Sequence, residues 1–156
     1  MDKRYPNVIL GTACIPWTEA GTFDEVNFRL TVRGLIERNV RHLYLFGTAG
    51  EGYAVTDSQF GQITRCFAEL MAGEDCYPMV GLISLSFPTM CERLQAAYAA
   101  GIRDFMFALP AWGALQDDEL ALFLHKLCDP YPDCRFVHYN NPRSKRVLTI
   151  ADYERF

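Results

Sequence analysis

Val40-Arg41-His42-Leu43-Tyr44-Leu45-Phe46, followed at once by Gly47-Thr48-Ala49-Gly50-Glu51-Gly52-Tyr53, is the stretch on which the fold turns. Its first half is short and rich in β-branched and aromatic side chains, so it predicts a strand. Its second half is a run of small residues that lets the backbone turn sharply off the strand end. Just beyond it, Phe60, Ile63, Phe67, Leu70 and Met71 recur on one helical face. The unit therefore reads strand, turn, helix.

The same unit recurs on either side. Further strands are expected at Val8–Ile15, Tyr77–Ile83, Ile102–Leu109 and Arg135–Tyr139, several of them apolar on both faces. Strands of that kind belong to a parallel sheet covered by helices. Between them lie helical stripes: Phe28, Val32, Leu35 and Ile36; Met90, Leu94, Ala97 and Tyr98; Leu120, Phe123, Leu124 and Leu127. Thr22-Phe23-Asp24-Glu25, Thr56-Asp57-Ser58-Gln59 and Thr149-Ile150-Ala151-Asp152 match the capping box, in which a hydroxyl and a later acid or amide satisfy free backbone N–H groups. Asn39 and Gly101 stand where left-handed helix exits are expected. The third of these boxes opens a fifth helix, and the chain stops four residues later at Phe156. The expectation is a single domain, residues 1–156, cut after strand five. Alternating strands and helices imply parallel strands joined by right-handed crossovers. Five such units fit the N-terminal part of a TIM-type (β/α)8 barrel, and equally a flavodoxin-like doubly wound sheet.

Composition narrows the function. Of the 156 residues, 50% are hydrophobic and 22% charged, as in soluble globular domains. The net charge of -4 is spread without a basic stripe, which weighs against nucleic acid as a partner. No apolar run approaches the roughly 20 residues of a membrane span, so no membrane partner is expected. The start of the chain lacks the apolar core of a signal peptide, so the expected location is cytoplasmic. The six cysteines form no C-x-x-C pair and read as buried reduced thiols. Neither they nor the scattered His42, His125 and His138 give a metal signature, and no cofactor fingerprint occurs.

Either architecture binds ligands at the C-terminal ends of its strands. After strand two, the backbone amides around Gly47, Thr48 and Ala49 can hold an anion such as a carboxylate, and Thr48 adds a hydroxyl. After strand five, Tyr139-Asn140-Asn141-Pro142 puts a phenol at the strand end, where it can donate or relay a proton, and Pro142 stiffens the exit. Read singly, each segment is equally well a tight turn.

Together they resemble a known family. G-[ST]-[TS]-G-E after strand two and Y-N-x-P after strand five are hallmarks of the dihydrodipicolinate synthase / N-acetylneuraminate lyase family. The opening Thr12-Ala13-Cys14-Ile15-Pro16, with Gly21-Thr22-Phe23-Asp24, is similar to that family's first strand and the segment after it. The resemblance runs over the whole chain in order and favours the barrel. It implies a class I aldolase-type lyase, cleaving carbon–carbon bonds or acting as a hydro-lyase. In such an enzyme a lysine amine forms a Schiff base with pyruvate or another 2-oxo acid, and the imine serves as an electron sink. It implies catalytic roles for Tyr139 and Thr48, substrate contacts from Gly47, Thr48, Ala49, Asn140 and Arg143, structural roles for Glu51 and Pro142, no cofactor, no metal, and a homo-oligomer.

Four features depart from the family's pattern. The Schiff-base lysine belongs at the end of a sixth strand, so the 156-residue chain is expected to be inactive alone. Lys3, Lys126 and Lys145 are poor substitutes. Ala49 stands where the synthases carry a hydroxyl linked to the strand-five tyrosine. Leu109-Pro110-Ala111-Trp112 lacks the tyrosine given to a neighbouring subunit. Arg143 is out of the synthases' register. A relative acting on another 2-oxo acid or sugar acid fits better than a lysine-pathway synthase. Two alternatives stay open. One is a non-catalytic half-barrel that binds small carboxylates. The other is a flavin or phosphate binder, although Pro16-Trp17-Thr18-Glu19-Ala20-Gly21 makes a poor phosphate cradle.

Overall fold

The computed structural model describes residues 4–73 and 75–156. Strands β1 (Gly11–Ala13), β2 (His42–Leu45), β3 (Tyr77–Gly81), β4 (Asp104–Phe107) and β5 (Arg135–His138) alternate with helices α1 (Glu25–Glu37), α2 (Asp57–Leu70), α3 (Phe87–Ala99) and α4 (Asp117–Cys128). A 3-10 turn, Pro142–Ser144, and a short α5, Ile150–Arg155, come after β5. All pairings are parallel and the order is β1-β2-β3-β4-β5. A doubly wound sheet would reverse direction after its first strands, so this order rejects the flavodoxin-like alternative. Right-handed crossovers between consecutive neighbours put every helix on one face and curve the sheet into part of a barrel wall.

Strand alternation then gives each face its own chemistry. Leu43, Leu45, Val80, Leu82, Phe105 and Phe107 are buried on the helical side. There they meet Phe28 and Val32 of α1, Phe60, Ile63 and Phe67 of α2, Met90 and Leu94 of α3, and Leu120, Phe123 and Leu127 of α4. Each such side chain contributes about 1.5–3 kcal/mol when fully buried. The inner face is polar at its N-terminal end. Arg135 donates to both oxygens of Asp104 at 2.6 and 2.7 Å, and its guanidinium lies 5.1 Å from the Tyr5 ring centre. The Tyr5 hydroxyl sits 3.0 Å from His42 Nδ1, and the His42 ring stacks on Tyr77 at 4.4 Å. Burial, reinforced by the Asp104 charge, pushes the Tyr5 phenol up to about 12.

Local signals place the elements. Thr56 and Thr149 complete the capping boxes expected of them, and Asn39 and Gly101 take the positive φ of helix exits. The first box is corrected: Asp24, not Thr22, caps α1, accepting from the Asn27 amide. Thr22 is occupied instead in a turn with Thr18, and Phe23 bridges Trp17. The first strand is also shorter than Val8–Ile15, because only Gly11–Ala13 finds a ladder partner in β2 and Ile9 is left exposed. All six cysteines are free, but only Cys66 and Cys134 are buried and Cys14 is exposed. No helix among the described residues is long and apolar enough to cross a membrane, and no metal-binding cluster occurs among them.

Candidate active site

At the C-terminal ends of the strands the inner face opens into a cleft of about 1090 Å³. The β2 turn forms one side. Phe46 leaves β2 at φ 64° and Glu51 adopts φ 57°. For a residue as bulky as Phe46 the left-handed region is an outlier, and such strain persists only where the surroundings hold it. Two restraints do so. A side chain at Gly52 would stand 2.3 Å from the Phe46 carbonyl oxygen, so the backbones touch. The amides of Gly50 and Gly52 donate to the Gly47 carbonyl, and that of Glu51 to the Thr48 carbonyl. The Thr48 and Ala49 amides take no part in those bonds, and both residues line the cleft. Outside the turn, the Glu51 carboxylate accepts from Trp17 Nε1 at 2.9 Å.

The β5 turn forms the opposite side. Tyr139 and Asn141 line the cleft. Asn141 Oδ1 accepts from the Arg143 amide, opening the turn that begins at Pro142. Arg143 Nη1 reaches across to Thr48 Oγ1 at 3.4 Å, so the turns after β2 and β5 face each other over the opening. Ser144, 2% exposed, lines the same cleft with an Oγ that has no partner among the described residues.

Of the residues singled out in sequence, Gly47, Thr48, Ala49, Tyr139 and Arg143 converge on this space. Asn140 does not line it, since its amide group donates to and accepts from the Leu148 backbone, fastening the segment after the turn. Glu51 and Pro142 do not line it and lie exposed within the turns themselves. Neither Lys126 nor Lys145 lines the cleft, and Lys3 lies outside the described residues. Trp112, 69% exposed, stands on the loop after β4. Sequence reasoning missed Ser144, Asn141 and Tyr44. Tyr44 was legible as the polar member of Leu43-Tyr44-Leu45, whose neighbours face the helices.

The chemistry available is that of a carboxylate-sized anion held by amides, a hydroxyl and a guanidinium beside phenols able to move a proton. Fold and site together define the class: part of a (β/α) barrel with its cleft where barrel enzymes keep theirs. No family model matches the chain. It is 23% identical over 146 residues to an uncharacterized DapA-like lyase of Rhizobium meliloti, covering 94% of this chain and 48% of that protein. It superposes with a TM-score of 0.83 on YagE, a prophage protein of E. coli K12 belonging to the dihydrodipicolinic acid synthase family, solved in complex with pyruvate. That match covers 91% of this chain and 47% of the other at 19% identity. A catalytic lysine mutant of the Ruminococcus gnavus sialic acid aldolase matches with a TM-score of 0.85 at 14% identity, over 94% of this chain and 48% of that one. The resemblance to the dihydrodipicolinate synthase / N-acetylneuraminate lyase family is thus borne out over that family's N-terminal portion. The chain spans about half the length of the relatives it matches.

Proposed function

We propose that this chain supplies the carboxylate-binding half of a Schiff-base-forming lyase acting on pyruvate or another 2-oxo acid. The observation that carries this reading is the convergence of Thr48 and Ala49 with Tyr139 and Arg143 across one cleft, from two turns about 90 residues apart in sequence. In this reading the Thr48 and Ala49 amides and the Thr48 hydroxyl grip the carboxylate. Arg143 steers the anion in, and Tyr139 moves the proton. Glu51 and Pro142 hold the two turns in shape. The amine nucleophile comes from a strand beyond β5, because no lysine among the described residues lines the cleft. A DapA-like lyase and a sialic acid aldolase with a catalytic lysine among the similar proteins support the reaction class, and a pyruvate complex supports the ligand class. The working protein is read as a cytoplasmic homo-oligomer.

Mass measurement after incubation with pyruvate and borohydride tests the assignment. This 156-residue chain is expected to gain no covalent adduct, while the same chain extended through a sixth strand gains the mass of one reduced pyruvate. An adduct on the shorter form would overturn the placement of the nucleophile. The absence of one on the extended form, with the cleft intact, would overturn the Schiff-base chemistry. In that case the surviving reading is the half-barrel that binds small carboxylates without catalysis, which a cleft lining without lysine among the described residues favours.

A further inference from the structure

The floor of the cleft holds a group that the proposed chemistry has not used. Tyr44 is on the inner face of β2, between Thr12 on β1 and Met79 on β3. Two glycines make room for it. A side chain at Gly47 would begin 2.6 Å from Tyr44 Cε1, and one at Gly81 would begin 2.6 Å from the Tyr44 hydroxyl. The ring is thus laid along the inner wall from β2 to β3, with no space for a methyl group at either end. Its hydroxyl donates to no described residue and faces the cleft that Tyr139 also lines. The hydroxyl is therefore open to whatever occupies the cleft, with no acceptor among the described residues competing for its proton. The turn above it lacks a hydroxyl at Ala49, the position beside Thr48.

We propose that Tyr44 is a ligand-facing donor in the cleft, paired with Tyr139, and that its hydroxyl does from the floor what a side-chain hydroxyl at position 49 would do from the rim. The inference rests on the 2-oxo acid reading of the site and adds a residue to it. A bound 2-oxo acid held at Thr48 and Ala49 presents its keto oxygen downward, where the Tyr44 hydroxyl can donate to it. Tyr139 faces the same space from the other side. Burial pushes the Tyr44 phenol up to about 12. Tyr44 therefore stays protonated and a donor across the working pH range.

Fluorine NMR on the full chain labelled with 3-fluorotyrosine tests the pairing, with Tyr44→Phe and Tyr139→Phe used to assign the two signals. Pyruvate is expected to shift both, and Tyr44→Phe is expected to weaken pyruvate binding about tenfold, the loss of one well-placed hydrogen bond. A shift at Tyr139 alone, with Tyr44→Phe binding as the parent does, would overturn the role of Tyr44 and leave the 2-oxo acid reading standing. Equal shifts and equal affinity for pyruvate and for acetate, which has no keto group, would overturn donation to a keto oxygen and sink the 2-oxo acid reading with it. No shift at Tyr44 with any of pyruvate, acetate or inorganic phosphate would overturn the proposal outright.

Discussion

The two ends of the inner sheet face carry similar residue types and use them differently. At the N-terminal end the polar side chains engage one another. Asp104 and Arg135 lock together, Arg135 covers Tyr5, Tyr5 meets His42, and His42 stacks on Tyr77. At the C-terminal end Tyr44 and Tyr139 keep free hydroxyls, Ser144 has an unpaired Oγ, and the Arg143–Thr48 contact is a long 3.4 Å. The first arrangement satisfies itself and stabilises. The second is left incomplete in a way that a ligand can complete. On the inner face the groups left without a partner among the described residues line the cleft, so on that face they mark the working end.

That contrast can be attacked at either end. The largest effect is expected at the N-terminal end. Asp104→Asn puts a neutral amide in place of the buried carboxylate that accepts both Arg135 hydrogen bonds and should cost about 3 kcal/mol in urea unfolding, while pyruvate affinity of the folded protein stays at the parent value. A loss in affinity as large as the loss in stability would show that the ends are not separate. Next comes the C-terminal turn. Gly52→Ala drives a methyl group into the Phe46 backbone, for about 2 kcal/mol of stability, and it should abolish ligand binding by displacing Thr48 and Ala49. Calorimetric melting with and without pyruvate reads both quantities.

A third probe lies on the helical side of β5. His138 stacks on Phe107 at 5.1 Å, contacts the Tyr153 hydroxyl at 2.7 Å, and buries an Nε2 with no partner among the described residues. Burial pushes it down to about 4 from an ordinary 6.5. Its folded pKa lies below its unfolded one, so protons favour the unfolded chain. Stability is therefore full above about pH 6.5 and declines as pH falls towards 4. The decline should be about 2 kcal/mol once residual solvent screening is allowed for. His138→Gln should flatten that part of the stability profile, and an unchanged slope would move the acid sensitivity elsewhere. The smallest stability effect is expected at the working end itself. Tyr139→Phe removes a hydroxyl bonded to nothing among the described residues and should change the unfolding free energy by less than about 0.5 kcal/mol. Isothermal titration should nonetheless show weaker pyruvate binding.

Much of the wall was readable in the sequence, for reasons that differ from element to element. The Phe60, Ile63 and Phe67 stripe and the Thr56 box are local signals, and both survived folding. The β2 and β5 turns were legible because small residues and an Asn-Pro pair leave few backbone solutions. What escaped depended on which partner each group found in the folded chain. Val8 and Ile9 look like strand but find no partner. Thr22 looks like a cap but is taken by Thr18. Asn140 looks like a ligand contact but is held by Leu148. Tyr44 reads as one more strand aromatic until Gly47 and Gly81 are seen to stand around it. Each of these outcomes is a competition for a partner, and a sequence lists candidates without naming the winner.

The strand order has a consequence for how the molecule comes into being. Among β1–β5 each ladder joins strands adjacent in sequence, so none of these four pairings waits for a segment made much later. Short-range pairing lowers the loop-closure penalty and speeds folding. The wall can therefore be laid down in the order in which it leaves the ribosome, each finished β-α unit offering a template to the next.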